Sequence, residues 1–338
     1  MTESGETGRT EPTPLVLRDR SGRVRLDVSG PDRQKFLHNL TTQDVKHLPA
    51  GEGREAFVTS PQGKTLGYVT LLAAGDRILV RSDREGWGPV LPHLAKYGVF
   101  DEVTLDDVSD RTFELHLASA GAGDRLAAAG LELPPAGDLR HGVGQVGGVE
   151  VLVVRESLTG RPGFTLIGEK TGLDAVSEAL RQAVSPHELI ALDDAAFEAL
   201  RIEAGVPVAG RDVTPDNLPQ EVARDALAIN FVKGCYLGQE TVARIDALGH
   251  VNRLLRGLRL DATVPPPPGA AILQADGRAI GAVTSAARAS GGSCVVALGY
   301  VRNSHARAGT PVQVLCVVEG QPEQRIPAIV CDLPMGPW

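Results

Sequence analysis

The residues best equipped for chemistry lie in one run, Lys233-Gly234-Cys235-Tyr236-Leu237-Gly238-Gln239-Glu240, which gathers a thiol, an ammonium, a phenol, an amide, a carboxylate and two glycines. Glycine permits positive φ or a close backbone approach, and Gln239 to Ala247 has helical propensity with Glu240 near its start. Cys235 is therefore expected just ahead of a helix N-terminus, where orphan amides and nearby Lys233 favour thiolate over thiol. Such a thiolate can form a transient mixed disulfide, hold iron in transit or be oxidised as a sensor. The plainer reading of a lone cysteine is a small buried apolar side chain beside a glycine-shaped turn. One cysteine cannot supply a four-ligand cluster site, so stable ownership of a cluster would need a partner or a dimer.

The rest of the chain must position that run. With 338 residues it exceeds one typical domain. A net charge of -8 argues against a general nucleic-acid surface, so no direct nucleic-acid partner is expected and any RNA link is indirect. The four cysteines, Cys235, Cys294, Cys316 and Cys331, include no C-x-x-C pair, and no metal site is assigned. Reduced thiols and a cytoplasmic location are the simplest reading. Met1 to Pro14 is polar without an apolar core; a disordered tail over residues 1–14 is expected, and no membrane partner.

Arg23 to Val28 alternates as a half-buried strand does, and a short helix follows with Phe36, Leu37 and Leu40 on its apolar face. Strands at 55–59, 66–73 and 77–81, then a helix with Trp87, Val90, Leu91, Leu94 and Tyr97 at helical spacing, make a first α+β lobe over 15–100. Gly63-Lys64-Thr65 lacks the earlier glycine of a phosphate loop, since Val58 stands there. The outline repeats in a second α+β lobe, 101–250, with strands at 102–105, 112–118, 149–155 and 163–167 and helices at 124–129 and 173–181. Gly142, Gly144 and Gly147 precede a strand rather than open a helix, so they read as a hairpin and not a dinucleotide fingerprint. Asp193 to Ala204 reads as an amphipathic helix leading to the Cys235 run. Residues 251–338, with hairpin signals at Asp276-Gly277 and Ser290-Gly291-Gly292, read as a small β-barrel. The fold class is α+β.

The Lys233 to Glu240 run resembles the signature of the folate-binding YgfZ family, which is related to the glycine-cleavage T-protein and associated with iron-sulfur cluster maintenance and tRNA modification. Leu26 to Val45, with Thr42-Gln43-Asp44, is similar to the opening of the T-protein fold. Arg201-Ile202-Glu203-Ala204-Gly205, then Pro207, Gly210, Asp212, Pro219 and Glu221, resembles its central segment, and Gly281 to Ser285 resembles an element of its barrel. The resemblance implies a T-protein-like three-lobed architecture, two α+β lobes plus a C-terminal β-barrel, holding tetrahydrofolate or a derivative near the junction. It implies partners among iron-sulfur enzymes or assembly proteins. Glu221 matches the position whose carboxylate holds the pterin edge, and Arg253 matches a folate-facing arginine. Arg244 belongs to the same pattern and could instead pair with Glu240 at i to i+4.

The T-protein transfers an aminomethyl carbon to tetrahydrofolate with an Asp beside the reactive folate nitrogen. Leu66 and Gly67 occupy the matching positions, and neither can exchange a proton. The expected role is thus a folate-binding accessory protein for iron-sulfur cluster assembly or repair and cluster-dependent tRNA modification, with Cys235 as the reactive group. Two alternatives stand beside it: a folate-dependent aminomethyltransferase whose base has moved, to Asp76 or Asp83 for instance, and a non-catalytic folate-sensing module.

Overall fold

The computed structural model describes residues 14–128, 130–184, 189–317 and 323–336; apart from Pro14, the tail expected over 1–14 lies outside them. In chain order the elements are β1 (Leu15–Asp19), β2 (Val24–Ser29), α1 (Arg33–Leu40), β3 (Gly53–Thr59), β4 (Thr65–Ala74), β5 (Arg77–Ser82), α2 (Val90–Tyr97), β6 (Thr104–Asp107), β7 (Thr112–Ala118), α3 (Ala122–Ala128), β8 (His141–Val146), β9 (Val149–Arg155), β10 (Gly163–Glu169), α4 (Leu173–Ala183) and β11 (Leu189–Ala191). Then come α5 (Asp194–Glu203), α6 (Asp225–Ala228), α7 (Gln239–Leu248), β12 (Arg253–Leu260), β13 (Ala271–Leu273), β14 (Ala279–Arg288), β15 (Val295–Arg302), β16 (Pro311–Cys316) and β17 (Gln324–Cys331).

The strands form a five-stranded sheet in the order β3-β4-β5-β2-β6, a six-stranded sheet in the order β11-β1-β7-β10-β9-β8, and a closed barrel in the order β12-β15-β14-β13-β16-β17. Two α+β lobes and a C-terminal barrel are present, as the resemblance implied. Each sheet buries one face under its own helices. Val28, Val69 and Leu71 pack with Phe36 of α1 and Leu94 of α2 in one lobe; Leu115, Val153 and Leu166 pack with Leu126 of α3 and Val176 of α4 in the other.

The sheets do not respect the boundary expected at residue 100. β1, the opening strand, pairs antiparallel with β7 in the six-stranded sheet, whereas β6 pairs with β2 in the five-stranded one. The two lobes have exchanged strands, and the hydrogen bonds of each exchanged strand anchor the other lobe. A segment placed with the second lobe also goes elsewhere. Ala199 and Ile202 of α5, Val222 in the turn after it, Ala228 of α6 and Val242 of α7 share a core with Phe57 of β3 and with Leu255, Leu298 and Tyr300 of the barrel. The stretch from α5 to α7 is thus the filling between the five-stranded sheet and the barrel.

The polar residues that match the T-protein central segment hold this filling in place. Asp212, fully buried, accepts from Arg201 Nη1 (2.8 Å), Val208 N (2.9 Å), Thr284 Oγ1 (2.5 Å) and Ser285 Oγ (2.7 Å), and its carbonyl accepts from the Tyr300 hydroxyl (2.8 Å). Gly281 passes so close to the Tyr300 carbonyl that a methyl group there would stand 1.9 Å from its oxygen. Among the described residues no helix is long and apolar enough to cross a membrane.

Candidate functional site

The Lys233 to Glu240 run caps one edge of the five-stranded sheet. It is held by backbone contacts: Leu237 N donates to Asn39 O (2.9 Å), Thr59 Oγ1 donates to Leu237 O (2.6 Å), and Thr241 Oγ1 donates to Gln62 O (3.0 Å). Gly238 makes the docking possible. It has φ +84°, and a side chain on it would stand 2.3 Å from Ser60 O and 2.9 Å from the Cα of Gly63, itself at φ +72°. Two left-handed glycines face each other there, and only hydrogen fits between them. The Gly63-Lys64-Thr65 stretch is accordingly a hairpin turn that receives the run. Gly234 is different, because a methyl there would meet nothing nearer than His38 Nε2 at 3.6 Å.

Cys235 is exposed, which discards the buried-hydrophobe reading, and it makes no hydrogen bond among the described residues. α7 starts at Gln239, with Gly238 as its N-cap, so the turn Tyr236 to Gly238 separates the thiol from the helix. Tyr236 N donates to Gln239 Oε1 (3.2 Å), which ties that turn to the first helical residue. Lys233 does not reach for the thiol. Its Nζ donates to the carbonyls of His38 (2.5 Å), Thr41 (2.6 Å) and Gln43 (2.8 Å) and lies 4.7 Å from the Tyr236 ring centroid. Burial pushes its ammonium down to about 7, with the charge of Asp44 opposing, and the three carbonyls favour the protonated form. Burial, then Glu240, pushes the Tyr236 phenol up to about 12. Glu240 and Arg244 are both exposed and make no ion pair with each other or with any described residue.

The two expected ligand anchors are brought together, and they bind each other. Glu221 sits in a buried turn of 3-10 helix, Pro219–Val222, and its Oε2 accepts from Leu218 N (3.2 Å) and from Arg253 Nε (3.1 Å). Arg253 opens β12, donates through Nη2 to Asp216 O (2.8 Å) and lies over the Tyr300 ring at 5.0 Å. It lines a cleft of about 640 Å³ between the barrel strand β14 and the loop 210–217. Arg302 lines the same cleft, and the strand register places it directly opposite Arg253. Like charges opposed across a ladder destabilise it. Arg302 has no ion-pair partner among the described residues. Sequence reading did not select Arg302; its signal, a second cation at the end of a barrel strand, needs the register to be seen.

Of the two positions expected to match the T-protein aspartate, Leu66 is partly buried against the core of the first lobe and Gly67 has no room for a side chain. Gly67 faces α2, where a side chain would come 2.3 Å from Val90 Cγ2. Asp83 is committed elsewhere: its Oδ1 accepts from Arg23 Nε (2.9 Å) and Arg20 Nη2 (3.4 Å), and its Oδ2 from Ala209 N (3.1 Å). These contacts outweigh burial and hold its carboxyl below the usual carboxylate range. Asp76 is exposed in the turn between β4 and β5.

Comparison with known proteins agrees with this fold. The GCVT N-terminal domain matches residues 13–230, and the glycine cleavage T-protein C-terminal barrel domain matches residues 253–335. A chloroplastic protein of Arabidopsis thaliana named as a transferase is 30% identical over 308 residues, 89% of this chain and 68% of its own length. The tRNA-modifying protein YgfZ of Serratia proteamaculans is 31% identical over 288 residues, covering 83% of this chain and 82% of its own. The crystal structure of the glycine cleavage system aminomethyltransferase T of Bartonella henselae superposes with a TM-score of 0.82 over 96% of this chain and 87% of that one, at 23% identity.

Proposed function

The chain belongs to the glycine-cleavage T-protein family and its YgfZ-like members, and from that premise we propose that it is a folate-binding accessory protein rather than an aminomethyltransferase. The observation that carries the folate reading is the opposed pair Arg253 and Arg302 on the wall of the 640 Å³ cleft. Two arginines at paired positions on one cleft wall, one of them without an ion-pair partner among the described residues, suit an anion, and a folate ends in the carboxylates of its glutamyl tail. The residues fit such a ligand: the cleft is in the size range of a drug-sized molecule, Tyr300 lines it under Arg253, and Arg302 has no ion-pair partner among the described residues.

In this reading Arg253 and Arg302 hold the tail, and Glu221 orients Arg253. A direct bidentate grip by Glu221 on the pterin edge would compete with its bonds to Arg253 and Leu218 N, because Oε2 already accepts both. Folate, when bound, would supply a one-carbon carrier. The absence of a carboxylate at Leu66 and Gly67, and the engagement of Asp83, disfavour aminomethyl transfer by this chain.

The support of iron-sulfur enzymes and of cluster-dependent tRNA modification rests on likeness to YgfZ, a tRNA-modifying protein by name, and on the exposed Cys235. Phe231 and Val232, 46% and 93% exposed, lie four and three residues before that thiol in the chain and add exposed apolar surface to this segment. Burial pushes the thiols of Cys294 and Cys331 up, and Cys316 is buried, so Cys235 is expected to alkylate first in the native protein.

Anaerobic calorimetric titration with tetrahydrofolate tests the reading. Saturable binding at one site, weakened at least ~10-fold by Arg253→Ala, would support it, a loss of about 1.4 kcal/mol. No saturable binding at concentrations well above ~100 μM would remove folate from the function. Methylenetetrahydrofolate formed from an aminomethyl-lipoyl donor would restore the enzyme reading.

A further inference from the structure

The turn Pro219–Val222 has two faces. Glu221 turns toward Arg253, while Gln220 turns toward a separate pocket of about 230 Å³ at the C-terminal end of α7. Gln220 is 5% exposed, and its Nε2 donates to Val242 O at 2.7 Å. That bond fixes which way the amide points, and Oε1 of this pocket-lining side chain is buried without a hydrogen-bond partner among the described residues. Asp225 lines the same pocket, and its Oδ1 is likewise buried and unpartnered. Asp246 contributes a second carboxylate, and no Lys or Arg lines the pocket among the described residues.

Two further features bear on what the pocket would accept. α7 ends at its rim, where Gly249 N closes on the carbonyls of Ile245 and Asp246, so the negative end of the helix dipole adds to the carboxylates. The remaining wall includes Ile245, Val251 and Leu254, which are apolar. Burial first, and the charge of Asp246 second, push the Asp225 carboxyl up to about 6, as befits a carboxylate with no counter-charge.

We propose that this pocket binds a primary alkylammonium group, the chemistry shared by a short aliphatic diamine and a lysine side chain. His250 and Asn303 complete the lining, but the two buried polar atoms left without a partner among the described residues, Gln220 Oε1 and Asp225 Oδ1, are both acceptors, and they call for a ligand that brings donors. An ammonium has three N–H donors and no acceptor, matching Gln220 Oε1, Asp225 and Asp246, and its methylene stem suits Ile245, Val251 and Leu254. A hard divalent cation suits the site less, since it takes six or more oxygens, and no group of three His, Cys, Asp or Glu residues that could hold a metal exists among the described residues. The volume lies below the roughly 300–1,000 Å³ of drug-sized sites, so the ligand is short. The site is separate from the cleft of Arg253 and does not depend on the folate reading.

The test is calorimetric titration of the full chain with 1,4-diaminobutane, with Nα-acetyl-lysine methylamide and with magnesium chloride, above the pH at which Asp225 ionises. Saturable binding of an amine, weakened at least ~10-fold by Asp225→Asn and by Gln220→Leu, is expected for the loss of one charge-assisted acceptor. Binding of the lysine probe and not the diamine would keep the chemistry and assign its source to a protein side chain. Neither amine binding, binding indifferent to Asp225→Asn, or magnesium binding in place of both amines would overturn the proposal. Asp225→Asn removes a charge that has no partner and is expected to fold, so the test does not depend on Gln220→Leu folding.

Discussion

The junction between the two sheets and the pocket at the end of α7 both take carboxylates out of water, and they resolve the cost in opposite directions. At the junction Glu156, 5% exposed, receives Arg81 Nη1 at 3.1 Å and Nη2 at 2.8 Å, and the Thr165 hydroxyl. Burial alone would raise its carboxyl, but Arg81, with help from His116 and Thr165, drives it far below the usual range. Neighbouring Glu114, fully buried, accepts from Arg23 Nη1 at 3.1 Å and is lowered likewise, with burial opposing. In the pocket, burial and the like charge of Asp246 act on Asp225 in the same direction, and no guanidinium among the described residues answers them. A buried acid that has its arginine is part of the scaffold; a buried acid that lacks one is a place for a cation to bind.

Removing one partner from each region should separate them most. Glu156→Ala leaves Arg81 buried with only Glu114 at 3.7 Å, and we expect a loss of about 3–5 kcal/mol in urea unfolding. Arg253→Ala in the cleft, where the arginine side chain is 39% exposed, should cost no more than about 1–2 kcal/mol. Equal losses would mean that the cleft pair is scaffold too, and would weaken its assignment to a ligand.

Acid sharpens the contrast further. Burial, opposed by Glu156 and reinforced by Arg20, pushes the His116 imidazole down from 6.5 to about 4. The unfolded chain therefore takes up this proton before the folded one does, so stability is whole above 6.5 and is lost as pH falls through 6.5 toward about 4. A shift of that size corresponds to about 3 kcal/mol. Glu156 adds a second loss at more acidic pH, because the stability from its depressed carboxyl is whole above the unfolded pKa of 4.5 and is lost progressively as pH falls below it. Urea midpoints across that range should fall for the native chain and fall less for His116→Gln. The same slope in both would assign the first loss to another group.

Much of the scaffold was legible because period-two alternation and hairpin glycines are local signals. The strands at Thr112–Ala118 and Val149–Arg155 lie where the sequence placed them. What escaped was non-local. The strand exchange of β1 and β6 depends on pairings some hundred residues apart, and a three-residue strand such as β11 has too little periodicity to show. Arg25 and Arg81 occupy strand positions that alternation reads as solvent-facing, yet both are fully buried, because Glu114 and Glu156 come from the other sheet. At the candidate site, residue types marked Cys235 and the family resemblance marked Glu221 and Arg253, but neither told that the last two would bind each other, nor that Lys233 would spend its protons on three carbonyls. Gln220 and Asp225 carry no sequence signal at all. Their interest lies in partners they lack, which only the packed chain reveals.

The smallest expected effect is also the one with the opposite sign. Asp225 has a folded pKa raised from 3.8 to about 6, so the folded chain holds this proton more tightly. The associated stability is present below 3.8 and is lost as pH rises through about 6, where the ionised carboxylate stands unpaired. Asp225→Asn keeps the shape and removes the charge, and should therefore stabilise the protein above that pH by about 1 kcal/mol or less, discounted because the residue is only partly buried. Below 3.8 it should change nothing. A primary amine that fills the pocket should raise the stability of the native chain in the same high-pH range, and raise that of Asp225→Asn less at the same concentration, since the variant has already lost one charge the amine would neutralise. A variant that is less stable than the native chain at high pH would mean that the carboxylate already has a partner, and the contrast between the two buried acids would fall with it.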